Sequence, residues 1–183
     1  MIDFITATDW TIRALEVLII LYLLVTLNKH RLALFFGGKS NLKSIDDHTM
    51  HSCFIAALTV MVFHFVSSSL AQYIITIEMS KLALRQFFYF TMFSCSMAFV
   101  IALFFMHNIR GCTFSTTARL CLYLALAQSV VQLIQFIMRG LLDSSMLSPA
   151  YSFSVVALNI LSLGVVAIYP AKKFTGLLTK EGI

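Results

Sequence analysis

Gln128, Gln132 and Gln135, three of the five glutamines in the chain, fall on one face of a single apolar segment, and Arg139 continues the row. At ~100° per residue the four positions occupy about 60° of arc and about 16 Å of helix length. Amides donate and accept at once, so such a row either ties helices together by hydrogen bonds or lines a path for water and ions. The stretch that carries it, Leu120 to Leu142, has no charge but Arg139 and reads as a membrane-spanning helix. Polar groups inside hydrocarbon are expensive unless they face other helices or water. The row therefore predicts a buried polar seam.

Two further clusters extend that seam. His64, Ser68 and Gln72 are spaced i, i+4, i+8 and cover about 80° of one helix face, with Ser67 beside them. His64 falls near the bilayer midplane by count, where imidazole either serves a proton or ion path or hydrogen-bonds a neighbouring glutamine or serine. Asp9, Arg13 and Glu16 share a face of an earlier segment, and a bridge from Arg139 to Glu16 or Asp9 is expected at matching depth. The alternative is that Arg13 and Arg139 each snorkel to headgroups. Asn159 and Ser162 add a polar face near the carboxy terminus. Ser94, Ala98 and Ala102 form a narrow ridge on which a helix can sit closely.

A group of histidines lies outside the apolar runs: His30, His48, His51 and His107, with Asp46 and Asp47 adjacent. His48 and His51 with the neighbouring carboxylates are weak candidates for zinc or iron, since further ligands would have to arrive by folding. The competing reading is a solvated helix start capped by Asp46 or Asp47. An interfacial metal-dependent or lipid-modifying enzyme built on Asp46, His48 and His51 is the remote alternative. No nucleophile elbow, phosphate loop, HEXXH motif or intramembrane aspartate pair is present, so no catalytic residues and no cofactor are expected. The four cysteines, Cys53, Cys95, Cys112 and Cys121, match no metal or redox spacing and are expected to be reduced.

Positioning these groups requires a helical membrane bundle. With 60% hydrophobic and 11% charged residues and a mean hydropathy of +0.91, the chain has too few polar groups to cover a soluble surface. Five apolar segments appear, at about 10–27, 53–77, 87–106, 120–142 and 151–169, with a connecting loop at 28–50. The first is interrupted by Arg13 and Glu16, so it either spans or lies in the interface. Pro149 and Pro170 bracket the last as start and stop signals. Nothing in Met1 to Trp10 reads as a cleavable leader. The expected fold is therefore all-α, one transmembrane domain over 1–183, with five spans, or four if the first is interfacial.

Basic residues set the expected orientation. Lys29, Arg31, Lys39, Lys43, Arg110, Arg119, Lys172, Lys173 and Lys180 fall on one side, and Arg13, Lys81, Arg85 and Arg139 on the other. Nine against four predicts an outer amino terminus and a cytoplasmic carboxy terminus. The basic side offers a surface to anionic lipid or an acidic cytosolic partner, and nothing suggests nucleic acid.

Two function classes follow. In one, the protein is a non-enzymatic, homo-oligomeric membrane anchor or sensor that couples the seam to a cytosolic protein; small bacterial inner-membrane subunits of stress or phage-defence systems have this size and layout. In the other, it is an oligomeric channel whose pore is lined by Gln128, Gln132 and Gln135. The lack of charged rings favours the anchor or sensor.

Overall fold

The computed structural model describes residues 2–26, 42 and 44–181, with side chains for 6–25, 42 and 44–176. Five helices follow one another: α1 (Ile2–Thr26), α2 (Ile45–Ile74), α3 (Lys81–Arg110), α4 (Thr116–Gln135) and α5 (Ser148–Glu181). A π-helical turn, Phe136–Leu141, prolongs α4. Helix makes up 88% of the described residues and no strand occurs among them, so their tertiary structure rests on helix-to-helix contact alone.

Local chemistry explains the boundaries. Ser44 caps α2 through a reciprocal pair: the Asp47 N–H donates to Ser44 Oγ at 3.1 Å, and the Ser44 N–H to Asp47 Oδ2 at 3.0 Å. The cap is thus Ser44, with Asp47 as its return partner, and α2 begins eight residues before the expected 53. Ser80 and Ser115 cap α3 and α4 one way only, accepting from the N–H of Ala83 and Ala118. Gly111 ends α3 at φ 67°, a conformation glycine adopts without steric cost.

Pro170 does not end the last helix. It lies buried inside α5, which continues to Glu181. The ring forfeits one backbone hydrogen bond, a loss that packed helices tolerate.

Four helical stretches are long and apolar enough to cross a membrane: Ile45–Ile74, Lys81–Arg110, Thr116–Leu141 and Ser148–Gly176. They fit an integral membrane protein. α1 stands apart from these four because Asp9, Arg13 and Glu16 interrupt it. It lays that face on α2 and its other flank on α5.

Successive helices run antiparallel, so the bundle has an Arg85 end and an Arg110 end. The half toward Arg110 is a packed apolar core, in which Phe54, Ala56, Leu103, Ala118 and Cys121 are at most 1% exposed and Ile20, Leu23 and Val166 close the gaps. Phe63 and Phe99 meet edge to face above it, with centroids 5.7 Å apart. The half toward Arg85 is not filled. It encloses a cavity.

Candidate functional site

The cavity measures about 410 Å³, the size of a small-molecule pocket, and all five helices contribute to its wall. Its lining runs from Val60 to Gln72 on α2, about 18 Å along the helix. Val60, Phe63, Phe99 and Cys121 form the floor against the apolar core. Thr6, Gln72, Phe88 and Ser152 lie nearer the Arg85 end.

One wall is ionisable. The side chain of His64 is 9% exposed; its Nδ1 lies 3.0 Å from both Glu16 carboxylate oxygens and its Nε2 3.0 Å from Asp9 Oδ1. Asp9 Oδ2 accepts from Arg13 Nη2 at 2.5 Å and from the Ser68 hydroxyl at 2.9 Å. Arg13 Nη2 also donates to Ser68. The guanidinium is 4.9 Å from the Trp10 ring and 5.3 Å from Phe65, away from the cavity lining. Two carboxylates, one imidazole and one guanidinium thus form a single network between α1 and α2. A neutral imidazole has one N–H, whereas here both ring nitrogens face carboxylate oxygens, so imidazolium is the form that pairs with both.

The opposite wall is neutral. Gln128 and Gln132 of α4 and Asn159 and Ser162 of α5 line the cavity, and Tyr151 donates its hydroxyl to Gln132 Oε1 at 2.8 Å. Gln135, 1% exposed, donates to Ser148 Oγ at 3.3 Å beyond the cavity. Gln128 Oε1 is buried with no hydrogen-bond partner among the described residues.

The cavity therefore brings together His64, Ser68, Gln72, Gln128, Gln132, Asn159, Asp9 and Glu16. His64 sits about 7 Å from the middle of α2 toward the Arg85 end. Its partners are the two carboxylates, where a glutamine or serine was the expected neighbour.

Several expectations are corrected. Arg139, half-buried in the π turn, makes no ion pair among the described residues, because α1 packs on α2 and α5 and commits Asp9 and Glu16 to Arg13 and His64. Gln132 and Gln135 are buried within their own chain, with their amides on Tyr151 and Ser148. The ridge faces outward: Ser94 and Ala98 are exposed, and the inner face of α3 is Met92, Cys95, Ser96 and Phe99. Ser96 is ~200° from Ser94, so choosing one hid the other.

Arg110 is not a surface cation. It is buried at the other end of the bundle, with Nη2 3.2 Å from His51 Nδ1. Nearby His48 Nδ1 accepts from the Thr113 N–H at 3.3 Å. A guanidinium against His51 opposes a metal cation there, and among the described residues no three His, Cys, Asp or Glu side chains gather around one point. His107 Nδ1 lies 2.8 Å from the Leu103 carbonyl and Nε2 2.8 Å from Ser52 Oγ. The serine–histidine pair is sealed, since Ser52 is 0% exposed and Phe114 stacks on the imidazole at 4.1 Å, leaving no space for a substrate.

Arg119 and Lys172 are exposed at this end, and Lys173 lies 6.0 Å over the Tyr169 ring. Lys29, Arg31, Lys39, Lys43 and His30 lie outside the described residues. All four cysteines are free. Burial raises the Cys112 thiol above its ordinary value in the α3–α4 connection.

The Arg85 end carries a fastening that sequence reasoning missed. Arg85 pairs with Asp143, which sits at φ 48°, and Gln86 Nε2 donates to the Gly140 carbonyl at 2.9 Å. The π turn leaves that carbonyl available to a side chain. Tyr151 was missed too, because it read only as a span boundary. Comparison with known proteins identifies no relative: no family model, no curated protein and no solved structure matches the chain.

Proposed function

We propose that the protein is a non-enzymatic membrane sensor whose cavity receives a small molecule and whose basic end engages a cytosolic protein. The observation that carries this reading is the division of the bundle: a polar, ligand-sized cavity in one half and a close-packed apolar core in the other. A conduit needs a continuous polar route, whereas Phe54, Leu103 and Ala118 fill the path beyond the floor. A pocket needs a closed end. The excess of basic residues near Arg110 supports placing that end in the cytoplasm, with the cavity in the outer half of the membrane.

Residence in a bacterial inner membrane, and a place in a stress or phage-defence system, belong to the same proposal. Self-association would use the lipid-facing surfaces, where Ser94 and Ala98 leave a shallow strip between Phe90 and Ile101. Arg119, Lys172 and Lys173 suit an acidic partner. Flux through liposomes containing the full chain tests the reading. No passage of K⁺, Na⁺ or Cl⁻ above protein-free liposomes is expected; a protein-dependent ion current would overturn the sensor in favour of a channel.

A further inference from the structure

We propose that the cavity binds an amphiphilic monocation of the primary-amine class, and that each amine displaces one proton from His64. The inference rests on reading the cavity as a ligand pocket, and specifies what enters it.

The charge of the wall selects the ligand. Asp9 and Glu16 line the cavity, and among the described residues no lysine or arginine does. Arg13, the one permanent cation of the network, is held behind it against Trp10 and Phe65. Asp9 is the more accessible carboxylate, its side chain 21% exposed against 2% for Glu16. Across the cavity, Gln128 Oε1 is a buried acceptor without a partner among the described residues. Asp9 is thus the accessible anionic group of the wall, and an ammonium group offers it three donors and no acceptor. Phe63, Phe88, Phe99 and Met92 supply an apolar surface for the remainder of the molecule and aromatic faces for a cation.

Charge balance supplies the exchange. With His64 as imidazolium the network holds two negative and two positive charges and is neutral. An entering ammonium adds one positive charge, which a low-dielectric site disfavours strongly. Loss of the proton from His64 restores neutrality: ammonium plus imidazolium becomes ammonium plus imidazole, and the proton leaves to solvent. The ammonium then donates to the carboxylate oxygen that the imidazolium released. The other titratable groups on the wall, Cys95 of α3, Cys121 of α4 and Tyr151 of α5, are neutral in both states, so they leave the count unchanged.

Calorimetric titration of phenethylamine into the full chain in nanodiscs, repeated in two buffers of different ionisation enthalpy, counts the protons released. Empty nanodiscs serve as the blank, and neutral 2-phenylethanol and anionic phenylacetate as controls. The expected result is one amine bound per chain, about one proton released, and affinity rising about tenfold per pH unit while His64 starts protonated. The controls do not bind, and His64→Gln binds the amine without pH dependence. Amine binding with no proton release in the wild type overturns the exchange even if that variant fails to fold. Equal binding of phenylethanol, or no binding of the amine, overturns the cation assignment. Ion flux in liposomes would instead overturn the pocket reading itself, so the two failures are distinct.

Discussion

The imidazole Nδ1 of His64 lies 3.0 Å from both carboxylate oxygens of Glu16, across the contact between α2 and α1. Glu16 is 3% exposed, so removing its partner leaves a nearly buried carboxylate without its counter-charge. His64→Ala and Glu16→Ala are each expected to cost about 3 kcal/mol, the loss typical when one member of a buried pair is deleted. The double variant Glu16→Ala/His64→Ala should lose less than half of the summed amount, since no charge is then stranded. Unfolding in mixed detergent and dodecyl sulfate measures all of these; additive losses would show that the two residues do not interact.

Gln132 is held within its own chain by Tyr151 at 2.8 Å. Tyr151→Phe should cost about 0.6–1 kcal/mol, the range for single side-chain hydrogen bonds between membrane helices. Gln132→Leu should leave the oligomer distribution in mild detergent unchanged. Loss of an oligomer in Gln132→Leu would show that this glutamine reaches a second copy.

Much of this arrangement is legible in the sequence because helical periodicity is local. The spacing of Gln128, Gln132 and Gln135 gives a common face before any neighbour is known, as does that of Asp9, Arg13 and Glu16. What faces them is not local. Depth matching suggested Arg139 for Glu16, but α1 lies against α2 and α5, and that lateral choice is made by packing over many residues. Arg110 is equally instructive: a basic residue at a span end ordinarily faces headgroups, yet His51 and the α3–α4 connection bury it. Pro170 misled for the same reason, since a helix supported on its flanks can carry a proline that would stop an isolated one. The cavity itself is a property of five surfaces that do not fill the space between them, and no single segment encodes it.

The π turn depends on Gln86, whose amide donates to the Gly140 carbonyl at 2.9 Å. Gln86→Leu should destabilise by about 1–2 kcal/mol, because the half-buried carbonyl loses its partner. A Cβ on residue 140 would lie 3.4 Å from Gln86 Cγ and Phe136 Cδ2, at the edge of ordinary contact. Gly140→Ala is therefore expected to be tolerated and Gly140→Leu to lose as much stability as Gln86→Leu. Equal tolerance of alanine and leucine would show that Gln86 does not pack on the turn.

Cys112 is 7% exposed, and burial raises its thiol above the ordinary 9.0. Its alkylation by N-ethylmaleimide at neutral pH should be at least ten times slower than that of the unfolded chain, from both occlusion and a smaller thiolate fraction. Because the unfolded thiol ionises first, its contribution to stability is present below pH 9.0 and is lost as pH rises above it. A Cys112→Ser variant should show a weaker loss of stability in that alkaline range; an identical alkaline profile would remove the thiol as its source.

Accessibility from the two faces of the membrane addresses the closed cavity most directly. In a cysteine-free background, Ser67→Cys, Gln128→Cys and Asn159→Cys each place a thiol on the cavity wall. A small charged methanethiosulfonate reagent should modify them from the side of Arg85 and Asp143 and leave them unmodified from the side of Arg110 and Arg119. Modification at comparable rates from both sides would contradict a pocket floored by Phe63, Phe99 and the apolar core, and would mean that the polar interior crosses the bundle.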